Sequence, residues 1–166
     1  MEGETRYAKS GDVHIAYRVF GAGPRDVVLV PGTVSHVELY WELPANRYLL
    51  KRLASFSRVI VFDKRGQGLS DRVGDQTLEE RVDDVLAVMN AAASDRATIY
   101  GWSEGGQLSL TLAARHSSRA SLGARPLRDL CVDRREPRVV RAIPREAGEA
   151  LGRRRARPRE RAEPAR

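Results

Sequence analysis

Two short apolar runs, separated by a segment with helical spacing, dominate the hydrophobic pattern of the chain. Residues 27–30 and 59–62 are continuous runs of Val, Leu, Ile and Phe, which are typical of strands buried on both faces. Leucines at helical spacing within 44–55 predict a helix between them. Alternating buried strands and helices indicate an α/β fold with a mostly parallel sheet covered on both faces.

Further elements flank this centre. The extended runs 7–10 and 13–20 enclose a Gly-Asp dipeptide, which predicts an N-terminal hairpin. Thr77, with Glu80 three residues later, matches a capping box and predicts a helix start. Residues 97–100 then read as a short buried strand, and the Leu- and Ala-rich stretch 107–115 reads as a helix.

Charge is distributed unevenly along the chain. Of the net charge of +7, residues 117–166 contribute +8, from 15 arginines against seven acidic residues, so residues 1–116 carry −1. Five of the eight prolines and no aromatic residue fall in that second part. The composition therefore predicts a domain over 1–116 and an Arg/Ala/Pro-rich, disordered tail over 117–166.

The tail allows two interpretations. One is an arm that binds nucleic acid or another anionic surface. The other is out-of-frame translation of a GC-rich gene, in which Arg, Ala, Pro and Gly codons dominate. The arginines form no stripe, and no aromatic side chain is available to stack on bases, so nucleic acid is the less favoured partner.

Several classes of protein are excluded by composition. No apolar run approaches the roughly 18 residues that span a membrane, and no signal peptide is visible behind the acidic N-terminus. The single cysteine, Cys131, excludes an internal disulfide and a cysteine-based metal site. We expect a cytoplasmic protein with no membrane span, no cofactor and no metal.

The chemistry-bearing motif is at 101–105, which read Gly-Trp-Ser-Glu-Gly. Gly-x-Ser-x-Gly between a strand and a helix is the nucleophile-elbow pattern, in which a sharp turn exposes the serine. Two more motifs precede it: Val-Pro-Gly at 30–32, and Asp-Lys-Arg-Gly-Gln-Gly-Leu-Ser-Asp at 63–71. A serine that merely caps the following helix is the alternative interpretation of Ser103.

These three motifs, in this order, resemble the first half of the α/β-hydrolase fold over roughly residues 5–116. Within that superfamily, 34–41 and 62–66 are most similar to actinobacterial hydrolase domains that are often joined to nucleotide cyclases. No cyclase segment is present, so no cyclase activity is predicted. The resemblance implies a serine hydrolase acting on a small ester or related acyl compound.

The resemblance also implies roles for individual residues. Ser103 would be the nucleophile, and the backbone N–H groups of Glu104 and Thr33 would form the oxyanion hole. Trp102, His36 and Gly32 are candidates for substrate contact. Core packing is an equal alternative for Trp102, and a solvated loop position is the favoured alternative for His36.

The triad is incomplete on this interpretation. The family's acid and histidine follow the nucleophile, but the only later histidine is His116, at the end of the predicted helix. At 1.5 Å per residue it would lie about 20 Å along that helix from Ser103. We therefore expect a truncated hydrolase fold that is inactive or weakly active alone, or a fragment that a partner chain completes.

A truncated sheet has a further consequence. Strand 97–101 would become an edge with unpaired backbone groups and uncovered apolar faces. Such an edge recruits other chains, so self-association is expected.

Overall fold

The sequence folds around a single six-stranded sheet. The structure, a computed structural model, describes residues 3–122. In chain order the elements are β1 (Arg6–Ser10), β2 (Val13–Phe20), β3 (Asp26–Val30), α1 (Leu39–Glu42), α2 (Pro44–Ala54), β4 (Arg58–Phe62), α3 (Leu78–Ala91), β5 (Ala97–Gly101), α4 (Glu104–Arg115) and β6 (Ala120–Leu122).

The strands lie in the order β1-β2-β4-β3-β5-β6. The hairpin β1–β2 pairs antiparallel, and β2 pairs antiparallel with β4. The four strands β4, β3, β5 and β6 run parallel. The predicted α/β class with an N-terminal hairpin and a mostly parallel sheet is confirmed.

Both faces of the central strands are covered, as their unbroken apolar runs require. On one face, Val28 of β3 belongs to the same buried cluster as residues of α3 and α4. Its register partners Ile60 and Ile99 are equally buried, each at most 1% exposed. The alternate residue Leu29 is also buried but points to the opposite face. The buried leucines of α2, which packs on β4, lie outside the first cluster.

The capping box at the start of α3 is present as predicted. The Thr77 hydroxyl accepts a hydrogen bond from the Glu80 N–H at 3.2 Å, and the Glu80 carboxylate accepts one from the Thr77 N–H at 2.8 Å. The helix α4 begins at Glu104, directly after Ser103, three residues earlier than the Leu-rich pattern indicated. The short helix α1 has no counterpart among the predicted elements.

The prediction that strand 97–101 forms the sheet edge is wrong. β5 pairs with β3 on one side and with β6 on the other, where Ala97 faces Ala120 and Ile99 faces Leu122. The Arg119 guanidinium anchors the returning chain by donating to the carbonyl oxygens of Ser94 and Asp95. Residues 120–122 thus join the sheet although they lie beyond the expected boundary at 116. The rest of the predicted tail, 123–166, lies outside the described residues.

No helix within residues 3–122 is both long enough and apolar enough to cross a membrane.

Candidate active site

The turn from β5 into α4 holds Ser103 in a strained conformation. Its φ of 54° and ψ of −128° lie in a region that residues with a Cβ rarely adopt. Ser103 occupies the N-cap position of α4, yet its side chain makes no capping hydrogen bond. The hydroxyl is therefore not engaged as a helix cap, and the chain turns sharply at this residue.

The two glycines of the motif are required by close packing. A Cβ on Gly105 would lie 2.5 Å from the Pro31 carbonyl oxygen, and it would also meet the Val30 carbonyl. A Cβ on Gly101 would collide with the Ser109 hydroxyl and the Gly105 carbonyl. The elbow can therefore sit tightly against the end of β3 only when both positions lack a side chain.

The predicted oxyanion loop lies directly beside the elbow. β3 and β5 are parallel neighbours, so their carboxyl ends meet at one edge of the sheet. A Cβ on Gly32 would be 3.3 Å from the Ser103 Cβ and from Trp102. Thr33 follows this glycine along the chain, and Glu104 follows the serine as the first residue of α4. The N–H of Glu104 is in the first turn of α4, where amides have no intrahelical acceptor.

Gln67 fixes this loop, although sequence reasoning treated it only as a variable position of its motif. Its side-chain amide donates to the Thr33 carbonyl oxygen at 2.8 Å and accepts from the Ser35 N–H at 3.0 Å. The Ser35 hydroxyl in turn accepts from the Lys64 N–H at 3.0 Å. The segment after β4 therefore holds the segment after β3 in position.

A narrow cavity adjoins the elbow and contains two of the predicted substrate-contact residues. His36, Trp102, Tyr40 and Asp63 are among its lining residues, and its volume is about 10 Å³, room for about one water molecule. Trp102 packs on Tyr40 with ring centroids 5.9 Å apart, and burial raises the pKa of Tyr40 to about 12. The His36 ring accepts a hydrogen bond from the Leu39 N–H, so this side chain also stabilises the turn that leads into α1.

Asp63 is a structural carboxylate in this arrangement. It is fully buried at the end of β4 and accepts a hydrogen bond from the Leu69 N–H at 2.9 Å. Its desolvation raises the pKa of the carboxyl group. Gly68 has a φ of +52° and passes so close to the Asp63 carboxylate that no Cβ would fit there. Asp63 therefore organises the turn of its motif.

A charged cluster surrounds the side chain of Glu104. The carboxylate accepts from the Lys64 ammonium at 3.0 Å and from the Arg81 guanidinium at 2.5 Å. The Lys64 hydrogen bond and the charge of Arg81 lower the pKa of Glu104. The three residues come from the end of β4, from α3 and from α4, so no sequence spacing could reveal the cluster. It braces the residue whose N–H was predicted to form half of the oxyanion hole.

The other two histidines lie away from Ser103. The His14 ring is 2.8 Å from the Asp71 carboxylate on the hairpin side of the molecule. His116 is the C-cap of α4, about 20 Å along the helix from the elbow at 1.5 Å per residue. Among residues 3–122, no three His, Cys, Asp or Glu side chains are grouped so that they could hold a metal ion.

Comparison with known proteins finds matches over most of the chain. The profile of the Alpha/beta hydrolase family matches residues 27–165, continuing past the expected domain boundary. The pimeloyl-[acyl-carrier protein] methyl ester esterase of Sodalis glossinidius is 33% identical over 103 residues, covering 62% of this chain and 36% of the esterase.

Two solved structures are similar at comparable identity. The enol-lactonase from Burkholderia xenovorans LB400 is 29% identical with a TM-score of 0.62, over 70% of this chain and 44% of that one. A hydrolase from Pseudomonas aeruginosa PA01 is 29% identical with a TM-score of 0.62, over 72% of this chain and 44% of that one. The chain spans less than half the length of the relatives that it matches.

Proposed function

Because the chain belongs to the alpha/beta hydrolase family, we propose that it is a serine hydrolase of small acyl compounds, with Ser103 as the nucleophile. The observation that carries the proposal is the backbone of Ser103. Its φ of 54° is found in a non-glycine residue whose side chain does not cap the helix that it precedes. Strain of this kind persists only where the surrounding structure enforces it, and here Gly101 and Gly105 allow the enforcing contacts.

In the proposed reaction Ser103 acts together with two backbone donors. The Ser103 oxygen attacks the carbonyl carbon of an ester while its proton passes to solvent or to a base. The carbonyl electron pair moves onto oxygen, where the N–H groups of Glu104 and Thr33 donate hydrogen bonds. The product of this attack is a tetrahedral intermediate. Its collapse re-forms the carbonyl, expels the alcohol and leaves an acyl-serine at residue 103. Attack by water then releases the acid and regenerates the serine.

We further propose that turnover is slow in this chain. A serine hydroxyl is a weak nucleophile at neutral pH unless an adjacent base accepts its proton. Two of the three histidines of the sequence lie on the hairpin and at the far end of α4. A hydrolase without its triad retains about 10³–10⁴-fold acceleration over water from its oxyanion hole and binding contacts. We therefore place its turnover well below the roughly 10 per second of a typical enzyme.

A burst-phase acylation experiment tests this function. The protein is mixed with excess p-nitrophenyl acetate, p-nitrophenolate release is followed, and the acetylated peptide is located by mass spectrometry. Acetylation at Ser103, abolished in Ser103→Ala, is the expected result. Ser118→Ala, at an exposed position after α4, is the matched control and retains the reaction. Release that is unchanged in Ser103→Ala would contradict the role of Ser103, and turnover at about 10 per second would contradict the proposed slow rate.

A further inference from the structure

An open groove lies beside the oxyanion loop, on the side of the Glu104 charged cluster. Its volume is about 310 Å³. It is lined by polar side chains and by the two residues whose N–H groups form the proposed oxyanion hole. The residues that line it include Thr33, Glu104, Lys64, Arg81, Gln67 and Gln76. A carbonyl held by Thr33 and Glu104 therefore has this groove next to it.

Arg81, which lines the groove, has two guanidinium nitrogens without a partner in the described part of the chain. Its Nη1 atom contacts Glu104, but its Nε and Nη2 atoms are buried and have no hydrogen-bond partner among residues 3–122. A buried donor without an acceptor destabilises a protein by about 1–3 kcal/mol, and by more when it is charged. The residue therefore lacks an acceptor that would suit its guanidinium.

Two other arginines of the chain indicate what kind of acceptor that is. Arg58 uses its Nε and Nη2 atoms to hold the two carboxylate oxygens of Asp26, at 2.7 and 2.6 Å. Arg65 holds Asp84 with the same two atoms, both at 2.7 Å. This edge of a guanidinium matches the spacing of carboxylate oxygens, so it can bind a carboxylate with two parallel hydrogen bonds, as it does twice elsewhere in this chain.

The local charges favour an anion at the same place. Lys64 and Arg81 each carry a positive charge, and both are neutralised within the cluster only by Glu104. The other carboxylate at the groove, Asp75, is exposed to water, where its repulsion is screened. The side-chain amide nitrogens of Gln67 and Gln76 already donate to the carbonyl oxygens of Thr33 and Arg65, so the positive charges are what favours the anion. The Nε and Nη2 atoms of Arg81 are buried, so their use by a ligand requires the guanidinium to rotate toward the groove.

We propose that this groove is a carboxylate subsite, and that the preferred substrates are acyl compounds bearing a second, anionic carboxylate a few bonds from the scissile carbonyl. This inference rests on the proposed function of Ser103. In the complex, the substrate carboxylate accepts from the free edge of Arg81 and is attracted by Lys64. The scissile carbonyl oxygen lies between the N–H groups of Thr33 and Glu104.

The test compares two esters with the same number of acyl carbons. Mono-p-nitrophenyl glutarate carries the second carboxylate, whereas p-nitrophenyl valerate is its neutral counterpart. We expect kcat/KM for acylation to favour the glutarate ester about tenfold, the factor that one charge-assisted hydrogen bond supplies. In Arg81→Gln this ratio is expected to fall toward one.

Two further variants separate recognition from folding. Arg81→Lys keeps the positive charge but lacks the two-atom edge. The preference for the glutarate ester over the valerate ester is therefore expected to fall nearly as far as in Arg81→Gln. Arg115→Gln removes the same charge from an exposed ion pair with Glu79 on the far turn of α4, and it is expected to keep the wild-type ratio. A wild-type ratio near one, or a ratio unchanged in Arg81→Lys with an unchanged melting temperature, would overturn the subsite.

Failure of the proposed function gives a different result. If neither ester acylates Ser103, binding of free glutarate is measured by isothermal titration calorimetry. Glutarate binding that Arg81→Lys weakens about tenfold, while Arg115→Gln leaves it unchanged, would keep the subsite and discard the hydrolase. Absence of glutarate binding would remove the subsite as well.

Discussion

Replacement of Gly105 by alanine is expected both to destabilise the protein and to displace Ser103, the proposed nucleophile. The new Cβ would be 2.5 Å from the Pro31 carbonyl oxygen, whereas ordinary contacts begin at 3.4 Å. The start of α4 and the end of β3 would have to separate by the difference, about 0.9 Å. The position of the Cβ is fixed by the backbone of residue 105, and the Pro31 oxygen belongs to the backbone. No side-chain rotation can therefore relieve the contact.

The size of the effect follows from two opposing terms. Overpacking costs about 1–3 kcal/mol, and a clash between backbones belongs at the upper end. Alanine in place of glycine stabilises a helix by about 1 kcal/mol. The free energy of unfolding should therefore fall by about 2 kcal/mol in total. A displacement of this size beside the oxyanion loop should also slow acylation of Ser103, because that chemistry depends on sub-ångström placement.

The neighbouring glycine supplies the control. A Cβ on Gly106 would lie 3.9 Å from the Gly101 carbonyl oxygen, an ordinary contact. Gly106→Ala should therefore stabilise the protein by about 1 kcal/mol through helix propensity alone. Urea unfolding followed by tryptophan fluorescence should separate the two variants by about 3 kcal/mol, and p-nitrophenyl acetate should acylate only the second at the wild-type rate. Equal stability of the two variants would refute the argument.

Two more outcomes are expected. The pKa of Glu104 is lowered in the folded protein from its ordinary 4.5, so its contribution to stability is complete above pH 4.5 and is lost as pH falls through the lowered value. Urea midpoints measured from pH 6 down to pH 3 should therefore fall less steeply in Glu104→Gln, and parallel slopes would contradict this. The edge strand β6 ends in the exposed Leu122, so sedimentation velocity should detect self-association that Leu122→Lys reduces. A wild-type protein that is monomeric at all concentrations would contradict that expectation.

The local elements were predictable because their signals are local. The apolar runs at 27–30 and 59–62 appear as β3 and β4, and the Thr77 capping box begins α3. The strand β6 was missed because its three residues, Ala-Ser-Leu, contain no β-branched or aromatic side chain. Its place in the sheet depends on Arg119, which bonds to carbonyls about 25 residues earlier in the chain.

The candidate site also has a part that the sequence could indicate and a part that it could not. The elbow and the oxyanion loop could be proposed from the sequence because each is a contiguous motif with a required backbone shape. The cluster of Lys64, Arg81 and Glu104 could not, because the three residues lie on separate elements brought together only by the packing of α3 and α4 on the sheet. Within its own segment, each reads as an ordinary charged surface residue.

Among residues 3–122, Ser103 shares its positive φ with one other residue that is not glycine. Ala93, just after α3, has a φ of 50°, close to the 54° of Ser103. Glycine relieves such strain at either position, so directed evolution for heat tolerance alone would accept Ala93→Gly and Ser103→Gly alike. The first exchange would leave the proposed chemistry intact, whereas the second would delete it. Selection of this protein for thermal stability should therefore include an acylation assay in every round, since selection for stability alone favours loss of the proposed nucleophile.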